Sequence, residues 1–200
     1  MIQVAIFASG GGSNAQVLTE YFKDHRQIKI AAFFTNKPSS GVIHLGKKYQ
    51  IPCFIFNKEE FNNDKFMIKL FTKYAIDFIA LAGFLWLIPP FFLQRFDRKI
   101  VNIHPSLLPK FGGKGMYGMK VHSAVSDSGL DHTGCTIHLV NEAYDDGDIL
   151  LQKSVQIKPK SSPDTIAKAV LKLEHTYYAP TIENYLQKIF IEYQPNNILK

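Results

Sequence analysis

The sequence predicts an α/β fold, a Rossmann-like and mostly parallel sheet with helices on both faces. Two observations support this prediction. Short apolar runs alternate along the first half of the chain with segments whose apolar residues recur at helical spacing. These runs are continuous, which is typical of parallel strands covered on both faces. Open sheets of this class bind ligands at the carboxyl ends of their strands.

The first half of the chain contains four predicted strands, at residues 2–8, 28–35, 53–56 and 78–82. Three helices are predicted between them, one from the glycine-rich turn to Phe22, one to about Lys48, and one over residues 59–74. Pro89 and Pro90 interrupt the apolar run 78–93, so a loop and a new helix are expected there.

The second half contains three more predicted strands, at residues 100–103, 136–140 and 150–157. A long helix follows them. Ser162 is its expected N-cap, and Pro163 lies in its first turn. Apolar residues keep helical spacing from Ile166 until Pro180, where we expect the helix to be interrupted.

The composition is that of a soluble globular protein, with 46% hydrophobic and 20% charged residues among 200. No repeat or linker divides the sequence, so we expect residues 1–200 to form a single domain. The net charge of +6 comes from scattered lysines and arginines rather than a dense basic run. This pattern indicates a surface that attracts small anions, and we predict no nucleic-acid partner.

Neither a membrane nor a secretory route is predicted. The apolar run 78–93 is shorter than the ~20 residues that a membrane span needs, and two prolines interrupt it. The segment from Met1 to Val4 lacks the basic start of a signal peptide. Cys53 and Cys135 belong to no zinc-binding pattern, so we expect two buried thiols in a reducing, cytoplasmic compartment and no metal.

A glycine-rich turn, Ser-Gly-Gly-Gly-Ser-Asn at residues 9–14, joins the first strand to the first helix. Bare backbone N–H groups at a helix N-terminus form an anion site, and Ser13 and Asn14 add side-chain donors. The turn also matches a weak dinucleotide pattern, but residues 35–37 supply no acidic group for a ribose. We therefore expect a single phosphate to bind here, with a ligand-free tight turn as the alternative.

A pair of polar residues follows in the predicted strand 100–103. Asn102 and His104 are two residues apart, so their side chains point to one face of the strand. They lie at its carboxyl end, where Pro105 stops the strand and the sheet is expected to bind ligands. A lone histidine here would be a structural residue, whereas the pair favours a role in chemistry.

An acidic turn, Tyr-Asp-Asp-Gly-Asp at residues 144–148, lies between two apolar runs. Turns of this kind are most often solvated. Beside Asn102 and His104, however, a carboxylate could accept a proton or hold the imidazole in its charged form. Asp145, Asp146 and Asp148 lack the ligand pattern of an EF-hand calcium loop, and we predict no metal here.

These segments together resemble the folate-dependent formyltransferases. The resemblance is carried by the turn at 9–14, by Leu-Ala-Gly-Phe at 81–84, by Asn-Ile-His-Pro-Ser-Leu-Leu-Pro at 102–109, and by Asp-Asp-Gly-Asp-Ile-Leu at 145–150. It extends to Leu-Glu-His at 173–175. The segment 102–109 is specific to the group as a whole, and the glycine turn singles out the phosphoribosylglycinamide formyltransferases within it.

The resemblance implies roles for particular residues. The catalytic residues would be Asn102, His104 and Asp145. The phosphate of the substrate would bind at Gly11, Gly12, Ser13 and Asn14. Glu174 would lie near the glycinamide or ribose of the substrate. The folate ring would be bound by Phe84, Leu85, Trp86, Leu87, Asn102 and Val140, although Trp86 stands where many relatives carry arginine.

The resemblance also implies a reaction, in which 10-formyltetrahydrofolate, as cosubstrate, transfers its formyl group to the amine of glycinamide ribonucleotide. The products would be formylglycinamide ribonucleotide and tetrahydrofolate, in purine biosynthesis. Asn102 and protonated His104 would stabilise the developing oxyanion, and Asp145 would favour the imidazolium and help to carry a proton. The partners would be small molecules only, and the protein a monomer or weak homodimer.

Several interpretations stay open on the sequence. The glycine-rich loop 111–117 is either a mobile lid or a flexible connection. His122 points into the site or lies on a helix surface, and His138 supports Asp145 or is a buried structural residue.

Three rival functions are formyl transfer to methionyl-tRNA or a sugar amine, hydrolysis of the folate donor, and nucleotide binding without catalysis. The tRNA enzymes and the hydrolases are expected to carry a further domain, which these 200 residues do not provide. A nucleotide-binding module would have no use for Asn102, His104 and Asp145 together.

Overall fold

The computed structural model describes residues 1–192 and contains a seven-stranded sheet. Its strands are β1 (Ile2–Phe7), β2 (Ile28–Thr35), β3 (Cys53–Ile55), β4 (Phe78–Leu81), β5 (Ile100–His104), β6 (His132–Leu139) and β7 (Ile149–Gln156). Their order in the sheet is β3-β2-β1-β4-β5-β6-β7. The strands from β3 to β5 run parallel to one another, whereas β6 and β7 pair antiparallel. The predicted α/β class with a mostly parallel sheet is confirmed.

The helices are α1 (Ser13–Phe22), α2 (Gly41–Tyr49), α3 (Lys58–Asn62), α4 (Asp64–Lys73), α5 (Pro90–Arg95), α6 (Met119–Ser128) and α7 (Pro163–Leu186). A π-helical segment, Gln187–Glu192, follows α7. Side chains alternate between the two faces of each strand, so β1 sends Ile6 to a layer formed with α1, α2 and α7. It sends Phe7 to a second layer formed with α3, α4 and α5. No helix within residues 1–192 combines the length and apolar character that crossing a bilayer requires.

The second layer is rich in aromatic rings. Phe7 and Phe34, on neighbouring strands, stack with ring centroids 4.6 Å apart. Phe61 of α3 contacts both Phe84 and Trp86, which lie in the loop after β4. Because aromatic side chains bury large apolar areas, these contacts anchor the loop 83–88 to the core. The loop therefore has a defined position at the carboxyl end of the sheet.

Two predicted boundaries differ from the structure. The helix expected over residues 59–74 is two helices, because Asn63 is extended (φ −90°, ψ 105°) and accepts a hydrogen bond from the N–H of Phe66 at 3.0 Å. Asn63 thus caps a new helix, and apolar spacing alone does not show the break. Strand β6 begins at His132 rather than at residue 136, because its pairing with β7 extends to Gln156.

The prediction that Pro180 interrupts the last helix is wrong, since α7 continues to Leu186. A proline inside a helix costs about 3 kcal/mol. Ile182 and Leu186 are fully buried, and burial contributes roughly 1.5–3 kcal/mol for each such side chain. The hydroxyl of Tyr178 also donates a hydrogen bond to the carbonyl of Leu81 at 2.7 Å. Tertiary packing on both sides of the proline therefore outweighs its local effect.

Candidate active site

A cavity of about 450 Å³ lies at the carboxyl ends of β4 and β5. The loop 83–88, the loop 111–117 and the segment 140–145 contribute to its walls. Asn102, His104 and His138 from the sheet face it, and α6 and α7 add His122 and Glu174. The position agrees with the ligand site expected for an open α/β sheet.

His104 and Asp145 form a buried pair in this cavity. Their side chains are 4% and 10% exposed, and His104 Nδ1 lies 3.3 Å from Asp145 Oδ2. His104 Nε2 lies 2.8 Å from the carbonyl oxygen of Phe111. Both partners are acceptors, so His104 satisfies both at once only as the doubly protonated imidazolium. Both ring nitrogens of His104 are therefore held by acceptors.

The carboxylate of Asp145 is held in place by its surroundings. The residue has a left-handed backbone (φ 56°), and the N–H of Gly113 donates to Oδ2 at 3.0 Å. Burial on its own would raise the pKa of this carboxyl. The hydrogen bond and charge of His104, together with the Gly113 N–H, outweigh burial and hold the pKa of Asp145 well below its usual range. The group is therefore ionised at neutral pH.

The other two aspartates of the acidic turn face away from the cavity. Asp146 is exposed and accepts a hydrogen bond from Asn141 at 3.2 Å. Asp148 is 69% exposed and pairs with Arg98 at 2.8 Å. The turn depends on Gly147, because a Cβ atom there would overlap the carbonyl oxygen of Leu139. Geometry thus separates Asp145 from its two neighbours.

Asn102 lies directly opposite His138 in the pairing of β5 with β6. Its Nδ2 atom is 3.2 Å from His138 Nε2 and 3.4 Å from Asp145 Oδ1. His138 Nδ1 lies 2.8 Å from the carbonyl of Leu139, so this nitrogen carries the proton and Nε2 accepts from Asn102. At 3.7 Å, His138 Nε2 is too far from Asp145 for a hydrogen bond. His138 is thus a buried residue that positions Asn102.

The loop 111–117 forms part of the cavity wall. Phe111 and Gly113 both have a left-handed backbone, with φ of 57° and 92°. Through the carbonyl of Phe111 and the N–H of Gly113, the loop is tied to both members of the His104–Asp145 pair. The sequence showed only the glycine content of this loop. Its contacts use backbone atoms, which leave no side-chain pattern to find.

The glycine turn borders the other end of the cavity through Asn14. Asn14 Nδ2 donates to Glu174 Oε2 at 2.7 Å. Burial raises the pKa of the Glu174 carboxyl, and the hydrogen bond from Asn14 and the charge of His104 oppose this only in part. Gly11 and Ser13 are exposed beside Asn14. Gly12, with φ 83°, is the N-cap of α1 and has no side chain to cap the first N–H groups, which an anion can bind.

The apolar part of the lining includes five predicted folate-binding residues, Phe84, Leu85, Trp86, Leu87 and Val140. Phe84 is 8% exposed and packs between core rings, whereas Leu87 is 39% exposed. The Nζ atom of Lys58 lies 4.7 Å from the centre of the Trp86 ring. This end of the cavity can therefore receive a flat aromatic group.

Residues 2–182 match the family model described as Formyl transferase. The chain belongs to the formyl transferase family. The resemblance seen in the sequence is thereby confirmed.

Named relatives show the same likeness. This formyl transferase is 40% identical to a chloroplastic phosphoribosylglycinamide formyltransferase of Arabidopsis thaliana. The match covers 90% of this chain and 64% of the plant protein, so this chain spans less than two thirds of the length of that relative. It is 34% identical to the phosphoribosylglycinamide formyltransferase of Bacillus subtilis, over 93% of this chain and 95% of that protein. A crystal structure of phosphoribosylglycinamide formyltransferase from Bacillus halodurans is similar, with a TM-score of 0.82 and 31% identity over 93% of this chain and 96% of that one.

Proposed function

We propose that this formyl transferase moves the formyl group of 10-formyltetrahydrofolate to the amine of glycinamide ribonucleotide, in purine biosynthesis. The products are formylglycinamide ribonucleotide and tetrahydrofolate. The observation that carries the proposal is the position of Asn102, His104 and Asp145 between a polar and an apolar end of one cavity. A phosphorylated amine and an aromatic formyl donor need a site of this kind. The names of the relatives support the same reaction.

The phosphate of the amine substrate binds at Gly11, Gly12, Ser13 and Asn14. The N–H groups at the start of α1 supply hydrogen bonds and the positive end of the helix dipole. Glu174, held by Asn14, then lies along the path from the phosphate to His104. Its carboxyl group accepts hydrogen bonds from the hydroxyl or N–H groups of the substrate.

The apolar wall fits the folate ring. Phe84, Leu85, Leu87 and Val140 offer apolar contact, and Trp86 adds an aromatic face. When bound, 10-formyltetrahydrofolate supplies the electrophilic formyl carbon. The wall keeps this part of the cavity dry, which strengthens the nearby hydrogen bonds.

Asn102 and His104 stabilise the negative charge that develops on the formyl oxygen. The two hydrogen bonds of the Asn102 amide, at 3.2 and 3.4 Å, are long, so this donor is only weakly held by the protein. The Nε2–H of His104 is donated to Phe111 in the structure. The carbonyl of Phe111 must therefore turn away before His104 donates to the substrate, and Gly112 and Gly113 give the loop the freedom to do so.

Asp145 keeps His104 in its charged form and acts on the transferred proton. As the amine nitrogen bonds to the formyl carbon, it loses one proton. The departing folate nitrogen gains one proton as its bond to that carbon breaks. The ionised Asp145 carboxylate, 3.3 Å from His104, helps to carry this proton between the two nitrogens.

We further propose that the protein acts in the cytoplasm on small molecules alone. Residues 1–200 are proposed to form one catalytic domain, as a monomer or weak homodimer. The scattered distribution of lysine and arginine supports small anionic substrates rather than a nucleic acid.

The test is an assay of purified protein with 10-formyltetrahydrofolate, with and without glycinamide ribonucleotide. Mass spectrometry should detect formylglycinamide ribonucleotide and tetrahydrofolate in equal amounts, and only when the amine is present. Loss of the formyl group without the amine would make the protein a hydrolase and overturn the proposal. Turnover with methionyl-tRNA or a sugar amine, but not with glycinamide ribonucleotide, would also overturn it.

A further inference from the structure

His122 is a buried histidine that the proposed mechanism does not use. It lies in the first half of α6, is 6% exposed, and lines the cavity. Its Nδ1 atom is buried and has no hydrogen-bond partner among residues 1–192. Buried polar atoms are nearly always partnered, so the enclosed Nδ1 without a partner limits which nitrogen of the ring can carry a proton. A position on the helix surface, which the sequence left open, is excluded.

The protonation state of His122 follows from these surroundings. Burial lowers the pKa of the ring, and the charge of His104 lowers it further, so the imidazole is neutral at neutral pH. A neutral imidazole carries a proton on one nitrogen only. A proton on the enclosed Nδ1 would be an N–H without an acceptor, which is rare in protein interiors. The proton therefore lies on Nε2, the nitrogen left to face the cavity.

His122 lies on the side of the cavity that we assign to the amine substrate. Val125, one turn further along α6, packs in one cluster with Ile166 and Val170 of α7. Glu174 follows Val170 by one turn, and both His122 and Glu174 line the cavity. The charge of His104 affects the pKa of both side chains. His122 therefore faces the stretch between the phosphate site and the reacting centre.

In glycinamide ribonucleotide, the group between the ribose and the reacting amine is an amide. Its carbonyl oxygen is an acceptor that needs a donor when it is desolvated. We propose that the Nε2–H of His122 donates to this carbonyl and so aims the amine at the formyl carbon. His122 is thus a positioning residue, and this role rests on the proposed function.

Two variants of His122 test the role. His122→Phe keeps a flat ring and removes the donor, whereas His122→Gln places an amide N–H close to the position of Nε2. Removing a neutral donor from a desolvated carbonyl should weaken the binding of glycinamide ribonucleotide about 5- to 30-fold in the phenylalanine variant, measured by calorimetry. The affinity for the folate cosubstrate should stay within roughly twofold of the wild type, and glutamine should restore most of the lost affinity for the amine.

A structural role would give a different pattern. If His122 were structural, its replacement would lower the thermal unfolding midpoint and weaken the binding of both substrates by similar factors. His122→Gln would then not restore the affinity for glycinamide ribonucleotide in particular. Either that pattern or wild-type affinity in His122→Phe would overturn the role. If the wild-type protein neither binds nor formylates glycinamide ribonucleotide, the proposed function fails instead, so the two failures are distinct.

The role of His122 can also be tested in the wild-type protein, so that the result does not depend on whether a His122 variant folds. Nitrogen NMR of ¹⁵N-histidine-labelled protein should show His122 as the neutral tautomer with the proton on Nε2. The Nε2 signal should shift when glycinamide ribonucleotide is added, and not when the folate cosubstrate is added alone. A proton on Nδ1, or an Nε2 signal that does not respond to saturating glycinamide ribonucleotide, would refute the role.

Discussion

Asp145→Asn removes the charge that faces His104 and keeps the shape of the side chain. His104 Nδ1 and Asp145 Oδ2 are 3.3 Å apart, and both side chains are at least nine-tenths buried. Two unit charges at this separation attract each other by ~5 kcal/mol at an effective dielectric constant of about 20. The cost of desolvating the carboxylate cancels part of this attraction, and charge-assisted hydrogen bonds contribute about 1.5–3 kcal/mol in net terms. We therefore expect kcat to fall about 10- to 100-fold.

The assay is a double-mutant cycle with the wild type, Asp145→Asn, His104→Ala and the double variant. Each is measured at saturating substrates and neutral pH. Because the two residues act as a unit, the double variant should lose much less than the product of the two single losses. Fully multiplicative losses would refute the pairing and place Asp145 outside the mechanism.

Asp146→Asn and Asp148→Asn are matched controls from the same turn. Both side chains face away from the cavity, and the exposed ion pair of Asp148 with Arg98 contributes little. Their kcat values should stay within roughly twofold of the wild type. A loss in either control as large as that of Asp145→Asn would show that the turn, and not this carboxylate, determines activity.

Asp145→Asn should also change how the stability of the protein depends on pH in acid. The pKa of Asp145 is depressed in the folded protein, so its contribution to stability is present above the unfolded value of ~3.9 and is lost as the pH falls through the lower folded value. The free energy of unfolding should therefore fall less steeply below about pH 4 in Asp145→Asn than in the wild type. Parallel slopes in urea titrations would contradict the depressed pKa.

Three further predictions concern other parts of the chain. His104→Ala should fold and bind both substrates, with turnover roughly 10²–10⁴-fold lower; near-normal steady-state turnover would make His104 structural. Gly11→Val should weaken the apparent affinity for glycinamide ribonucleotide about tenfold or more in steady-state assays, and leave the apparent affinity for the folate cosubstrate unchanged. The reason is that a Cβ atom at Gly11 meets no protein atom within 4 Å and therefore blocks only the phosphate. Equal losses for both substrates would count against the phosphate site. Pro180→Ala should raise the free energy of unfolding in urea by about 1–3 kcal/mol, because it restores a helical N–H, and a decrease would refute this.

Gly11 is a sharper test of the phosphate site than Gly12. Gly12 has φ 83°, and a Cβ atom there would lie 3.3 Å from the backbone of Gly41 and Val42. A substitution at Gly12 would therefore strain the fold as well as the site. At Gly11, no positive φ and no close neighbour complicates the result.

Local patterns in the sequence predict the sheet and the carboxyl-end positions of the polar pair. Continuous apolar runs identify β1, β2 and β4 because buried parallel strands have no polar face. Asn102 and His104 can be assigned to one face because side chains alternate along a strand. The glycine turn can also be recognised in the sequence, because the start of a helix and its free N–H donors are formed by a few consecutive residues.

Other features depend on contacts between distant parts of the chain. The residue pattern of the acidic turn does not separate Asp145 from Asp146. The family resemblance selects Asp145, and the fold gives the physical reason, because the Asp145 side chain reaches the cavity and the Asp146 side chain meets solvent. The donor of His104 is held by the backbone of Phe111, which no side-chain pattern reveals. Pro180 lies within α7 because packing outweighs propensity. The burial of His122 Nδ1 without a partner is likewise a property of the folded chain. Burial and hydrogen bonding are properties of the assembled layers, so periodicity along the chain does not determine them.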